Sequence, residues 1–176
     1  MTVIDIHTHS LSDGWLKLVK EKGNPELDIG KSPNGQEYLV EFGTPSMTFH
    51  EAMFDYEKRI KNMDAEGIDI SIVSLTSPNA FWGKEEVSIE CARIMNDDMS
   101  LAQRSYPDRI RYFATIPWEF PERAVQELDR AFRLGAVGVM TLANIRGKFL
   151  NDPLFEVVWT EIEKRDLPVL IPPPVP

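Results

Sequence analysis

At 176 residues, 43% of them apolar, the chain can bury one sizeable core and reads as a single domain over 1–176. Its formal net charge of −9, with no basic stripe to reverse it locally, opposes phosphate backbones and anionic lipid surfaces and argues against a nucleic-acid partner. The longest apolar stretches, such as Ala136–Leu142 and Leu167–Ile171, fall far short of the roughly 20 residues of a membrane-spanning helix, so no membrane partner is expected. Met1–Asp5 lacks a basic n-region and runs straight into a strand pattern, which makes the cytoplasm the expected location. A single cysteine, Cys91, fits a reducing compartment and a core-packing role.

Thr2–His7 is rich in β-branched residues and predicts a strand, and Ser10–Lys22 has helical character up to Gly23. Between about residues 23 and 48, glycines, prolines and Asn34-Gly35 punctuate short apolar pieces, which predicts a small flap with Tyr38–Phe42 as a hairpin strand. Phe54–Glu66 shows helical spacing and stops at Gly67, and Ile68–Leu75 follows as a compact apolar strand. Glu85–Tyr106 is a long helix with an apolar stripe through Ile89, Ala92, Ile94 and Leu101, succeeded by the strand Ile110–Ile116. Pro121–Leu134 opens with proline in its first turn and hands over through Gly135 to the strand Ala136–Leu142. Leu154–Lys164 is the last helix, Pro168–Ile171 the last strand, and Pro172-Pro173-Pro174 cannot donate to a ladder beyond it.

Strands that alternate with helices and are apolar on both faces predict an α/β fold with a parallel sheet. Its form is a (β/α)8 TIM-barrel type of which only about the first five β/α units lie in this chain, because a whole barrel takes about 250 residues. A five-strand flavodoxin-like open sheet is the alternative, ranked second because no glycine-rich phosphate loop follows the first strand.

The chemistry concentrates in Asp5-Ile6-His7-Thr8-His9. Residues two apart on a strand share a face, so His7 and His9 can place two imidazole nitrogens on one ion at the carboxyl end of the strand, where barrel active sites lie. A single strand-end histidine is usually an ordinary surface or core residue; a His-Thr-His pair behind an aspartate of the same parity is read as a pair of metal ligands. Asp5 is expected to support the ligands rather than bind the ion. Zinc is the expected ion, with manganese as the other candidate. Phe81, Trp82 and Lys84 follow the second strand on the substrate side, where they could stack on or pair with an aromatic acid although core or rim packing is the favoured reading, and Asn144 and Arg146 follow the fourth, where Arg146 could grip a carboxylate bidentately. His50 is assigned no role.

Ile4-Asp5-Ile6-His7-Thr8-His9 resembles the opening of the amidohydrolase superfamily. The rest resembles the branch of that superfamily that includes aminocarboxymuconate semialdehyde decarboxylase and related aromatic-acid decarboxylases. The resemblance is carried, in order, by Arg59-Ile60-Lys61-Asn62-Met63-Asp64, Asn96-Asp97, Tyr106-Pro107-Asp108-Arg109-Ile110, Phe113-Ala114-Thr115-Ile116-Pro117, Gly135-Ala136-Val137-Gly138-Val139, Asp152-Pro153-Leu154-Phe155 and Leu167-Pro168-Val169-Leu170-Ile171. Asp5-Ile6-His7-Thr8-His9-Ser10 is also similar to the PHP phosphoesterases, but the Thr-Asp-His triplet those place after their second strand is replaced here by Ser74–Pro78.

The resemblance implies a divalent metal held by the paired histidines, a third histidine at the end of strand five and an aspartate after strand eight. It also implies an acid/base histidine after strand six, a small carboxylic acid as substrate and a homodimer of the full-length protein. The sequence departs from that pattern at Pro172, where the third histidine is expected, and the flap segment Gln36–Phe42 has no arginine where the family's flap supplies one to substrate. No catalytic acid or base is identifiable in this chain. The implied activity is non-oxidative decarboxylation of an aromatic or unsaturated acid, incomplete in this chain. Metal-dependent hydrolysis of an amide, ester or lactone is the alternative, and a non-catalytic fragment or structural module the third.

Overall fold

The computed structural model describes residues 1–172. Five parallel strands form one curled sheet: β1 (Ile4–His9), β5 (Ile70–Ser74), β6 (Ile110–Ala114), β7 (Gly138–Met140) and β10 (Val169–Leu170). They lie side by side in chain order, and every neighbouring pair is parallel. That order excludes the flavodoxin-like alternative, whose second strand would lie outside the first, and it is the order in which a barrel is wound.

Helices connect the strands as the apolar spacing predicts, with ends set by local chemistry. α1 (Asp13–Lys22) starts three residues later than expected because the Ser12 side chain caps it by accepting the Trp15 N–H at 3.1 Å. α2 (Tyr56–Glu66) is capped by Asp55 and ends at Gly67, whose φ of 69° is the left-handed conformation that closes a helix cheaply only with glycine. α4 (Pro121–Arg133) begins on its proline, and α5 (Glu156–Lys164) follows a single 3-10 turn at Pro153–Phe155.

The buried stripe of α3 (Glu85–Ser105) differs from the expected one. It runs through Cys91, Ala92, Met95, Met99 and Ala102, while Leu101 is 57% exposed. Small residues and two thioethers let α3 lie close over β6, and the buried Asn96 bonds Thr115 on both sides of its amide.

The flap is larger than one hairpin strand: β2 (Leu27–Lys31), β3 (Glu37–Glu41) and β4 (Thr44–Thr48) form an antiparallel meander. β3 ends at Glu41 because Phe42 and Gly43, at φ 48° and 80°, make a two-residue turn. Leu27 and Leu39 insert into the main core. At about 1.5–3 kcal/mol per buried leucine, they outweigh any surface ion pair and anchor β2 and β3.

Candidate active site

β1 runs through both histidines rather than stopping at the first. Thr8 and His9 pair with Val73 and Ser74, while the register slips between Asp5 and Thr8, so the strand carries an irregularity at Ile6–His7. The Asp5 carboxylate accepts the His7 N–H at 3.1 Å and thereby satisfies backbone that the ladder leaves open. His7 and His9 nevertheless emerge on the same side, with ring centroids 5.0 Å apart and nearly perpendicular planes.

Two residues to which the sequence assigned no role hold this strand end. Arg59 of α2 is 7% exposed and donates to the Thr8 hydroxyl at 2.8 Å and to the His9 carbonyl. Ser74, opposite His9, sits 3.3 Å from His9 Nδ1, which leaves Nε2 as the free nitrogen. Burial, followed by the neighbouring His7, pushes the His9 pKa below its ordinary 6.5, which favours the neutral imidazole a metal requires. We therefore expect Ser74→Ala to weaken metal binding about 10–100-fold in a titration, with little change in thermal stability. An unchanged affinity would mean that packing alone orients the His9 ring.

The two rings open into a cavity of about 710 Å³ at the carboxyl ends of the strands. Its apolar walls come from Pro78, Phe81, Met140, Leu142 and the flap residue Phe42, and Asn144 and Arg146 also line it. Arg146 is engaged already, donating to Glu26 at 2.6 Å and lying 3.2 Å from Glu119. Trp82 does not reach the cavity: it is 1% exposed in the core, with its indole N–H on the Asn79 carbonyl. Lys84 is exposed at the amino end of α3, also away from the cavity. Pro172 follows β10 and lines the same cavity as the histidines. Pro173 and Pro174 lie outside the described residues.

The donor set fits part of a divalent-metal shell. Two imidazoles converge with a nitrogen of His9 free, and among the described residues no third His, Cys, Asp or Glu joins them.

A curled parallel sheet wound in barrel order, with paired histidines at the carboxyl end of its first strand, defines a half-barrel of the metal-dependent hydrolase type. The family model for Amidohydrolase matches residues 4–174, and the chain belongs to that family. It is 30% identical to 2-amino-3-carboxymuconate-6-semialdehyde decarboxylase of Dictyostelium discoideum over 97% of this chain and 48% of that protein. It is 33% identical to gamma-resorcylate decarboxylase of Rhizobium radiobacter over 70% of this chain and 40% of that one. The chain therefore spans about half the length of the curated relatives it matches. In fold it is similar to 5-carboxyvanillate decarboxylase of Novosphingobium aromaticivorans, crystallised with manganese and 4-hydroxy-3-methoxy-5-nitrobenzoic acid. That match has a TM-score of 0.73 at 23% identity, over 97% of this chain and 49% of that one.

Proposed function

We propose that this chain is the metal-binding half of a non-oxidative decarboxylase acting on an aromatic carboxylic acid. The observation that carries the reading is the joint opening of His7 and His9 into a cavity whose walls are aromatic and aliphatic. Apolar walls take up a ring, exclude water and strengthen whatever charge pairing occurs inside. The relatives named as decarboxylases of such acids support the same substrate class.

In this reading His7 and His9 hold a divalent ion, which when bound supplies Lewis-acid polarisation and a fixed positive charge for a carboxylate. Imidazole ligands suit zinc, and manganese is the other candidate because the carboxyvanillate decarboxylase carries it. Ser74 and Arg59 keep the strand end and the His9 ring in place, and Asp5 braces the backbone of His7. Asn144 offers an amide at the cavity wall, and Phe81 offers a ring face.

The test is to supply the full-length coding product with zinc or manganese and assay hydroxybenzoates such as 2,6-dihydroxybenzoate for CO₂ release. Stoichiometric CO₂ and phenol are expected from at least one such acid. Turnover of amides, esters or lactones with no CO₂ from any aromatic acid would replace this reading with the hydrolase.

A further inference from the structure

Two hairpin tips reach the rim of the cavity, and both are built against ordinary turn preference. A two-residue turn with positive φ at both positions normally takes Asn-Gly or Asp-Gly. Here β3 and β4 are joined by Phe42-Gly43 at φ 48° and 80°, and the short hairpin β8 (Asn144–Ile145) and β9 (Lys148–Phe149) by Arg146-Gly147 at φ 47° and 82°. A bulky side chain in the left-handed region is strained, and such outliers persist where surrounding contacts hold them.

The contacts that hold them join the two tips. The Glu26 backbone carbonyl accepts the Phe42 N–H at 2.8 Å. The Glu26 carboxylate takes Arg146 through two nitrogens, at 2.6 and 3.4 Å. Arg146 also meets Glu119 at 3.2 Å and the Phe81 carbonyl at 3.4 Å, so its guanidinium ties the flap to two loops at the strand ends. Phe42 itself is 74% exposed while lining the cavity, so no core packing accounts for an aromatic residue at this position.

We propose that Glu26 and Arg146 form a latch that holds the flap tip across the cavity mouth, so that the Phe42 ring is the wall that selects flat, aromatic acids. Leu27 and Leu39 anchor β2 and β3 in the core; the latch acts on the exposed Phe42-Gly43 turn beside them. The selectivity half of the proposal rests on the carboxylic-acid reading above, whereas the latch does not.

Hydrogen exchange read by mass spectrometry tests the latch without any ligand. Glu26→Gln should speed exchange of the flap tip, residues 41–44, by roughly three- to tenfold, and Arg146→Met by at least as much. The double variant should do no more than Arg146→Met alone, because one contact cannot be lost twice. Exchange of Ile110–Ala114 should stay unchanged, which shows that the fold survives. Unaltered flap exchange in both single variants, or strictly additive effects, would overturn the latch.

The second arm measures binding of benzoate and cyclohexanecarboxylate to the metal-loaded full-length protein. Phe42→Ala should weaken benzoate about tenfold and the saturated acid far less. Equal losses would overturn selection by the ring. If the unaltered protein binds neither acid, the carboxylic-acid reading fails and ring selection with it, while the exchange result still decides the latch.

Discussion

Replacing His7 or His9 by alanine in the full-length protein is expected to lower CO₂ release by on the order of 10³-fold and to leave less than one metal ion per site. A metal's electrostatic contribution to a transition state is several kcal/mol, and each 1.36 kcal/mol is a factor of ten in rate. Each histidine is half of what this chain contributes to the shell, since among the described residues no other His, Cys, Asp or Glu stands with them. Metal binding by the unaltered protein should also persist into mildly acidic pH. His9 titrates below its ordinary 6.5 because burial and His7 disfavour its charged form, and a ligand must be deprotonated to bind. In the unaltered protein His9 therefore remains available to metal as the pH falls through 6.5. His9→Ala removes that reserve. Elemental analysis across pH together with the CO₂ assay checks both points. Full activity and full metal content in either variant would place the metal elsewhere.

Much of the fold was legible because the chain repeats one unit. Glycine and proline boundaries separate apolar strands from amphipathic helices, and the strands then pair in chain order, with none inserted out of turn. The paired histidines were legible for a related reason: a two-residue spacing fixes a shared face as long as the backbone is extended. What was not legible depended on register and on loops. Ser74 earns its place beside His9 only through the pairing of β1 with β5, and Arg59 reads as one more charge on α2 until its burial against Thr8 and His9 is known. Trp82 follows a strand end, where an aromatic residue reads equally well as cavity or core. The structure sends it inward because the buried Asn79, at φ 59°, folds the loop back and takes the indole N–H on its carbonyl. The β8–β9 hairpin escaped notice because Arg-Gly is not a usual turn pair. Phe42 reads as the end of a strand because phenylalanine favours strands and not left-handed turns.

Residues 1–176, prepared alone, are expected to self-associate and to show neither one tightly held metal per chain nor turnover. The curled sheet leaves β1 and β10 with a strand neighbour on one side only among the described residues, and such edges recruit strands from other molecules. The β1 edge is also apolar: Val3, Ile4 and Ile6 are 48%, 49% and 53% exposed, and Ile171 beside the other edge is 45% exposed. Val3, Ile4 and Ile6 lie together along the β1 edge rather than as isolated surface spots, which favours association. At the site, two imidazoles would leave half of a four-coordinate shell to water, and Pro172 adds no donor where it lines the cavity. Sedimentation should therefore show species well above 20.1 kDa, and dialysis should strip zinc or manganese to far less than one ion per chain. Adding the remainder of the barrel as a separate polypeptide should reverse both effects, because it would cover the same edges and complete the same shell. A monomer that retains one metal through dialysis and releases CO₂ from an aromatic acid would show that these five strands are sufficient.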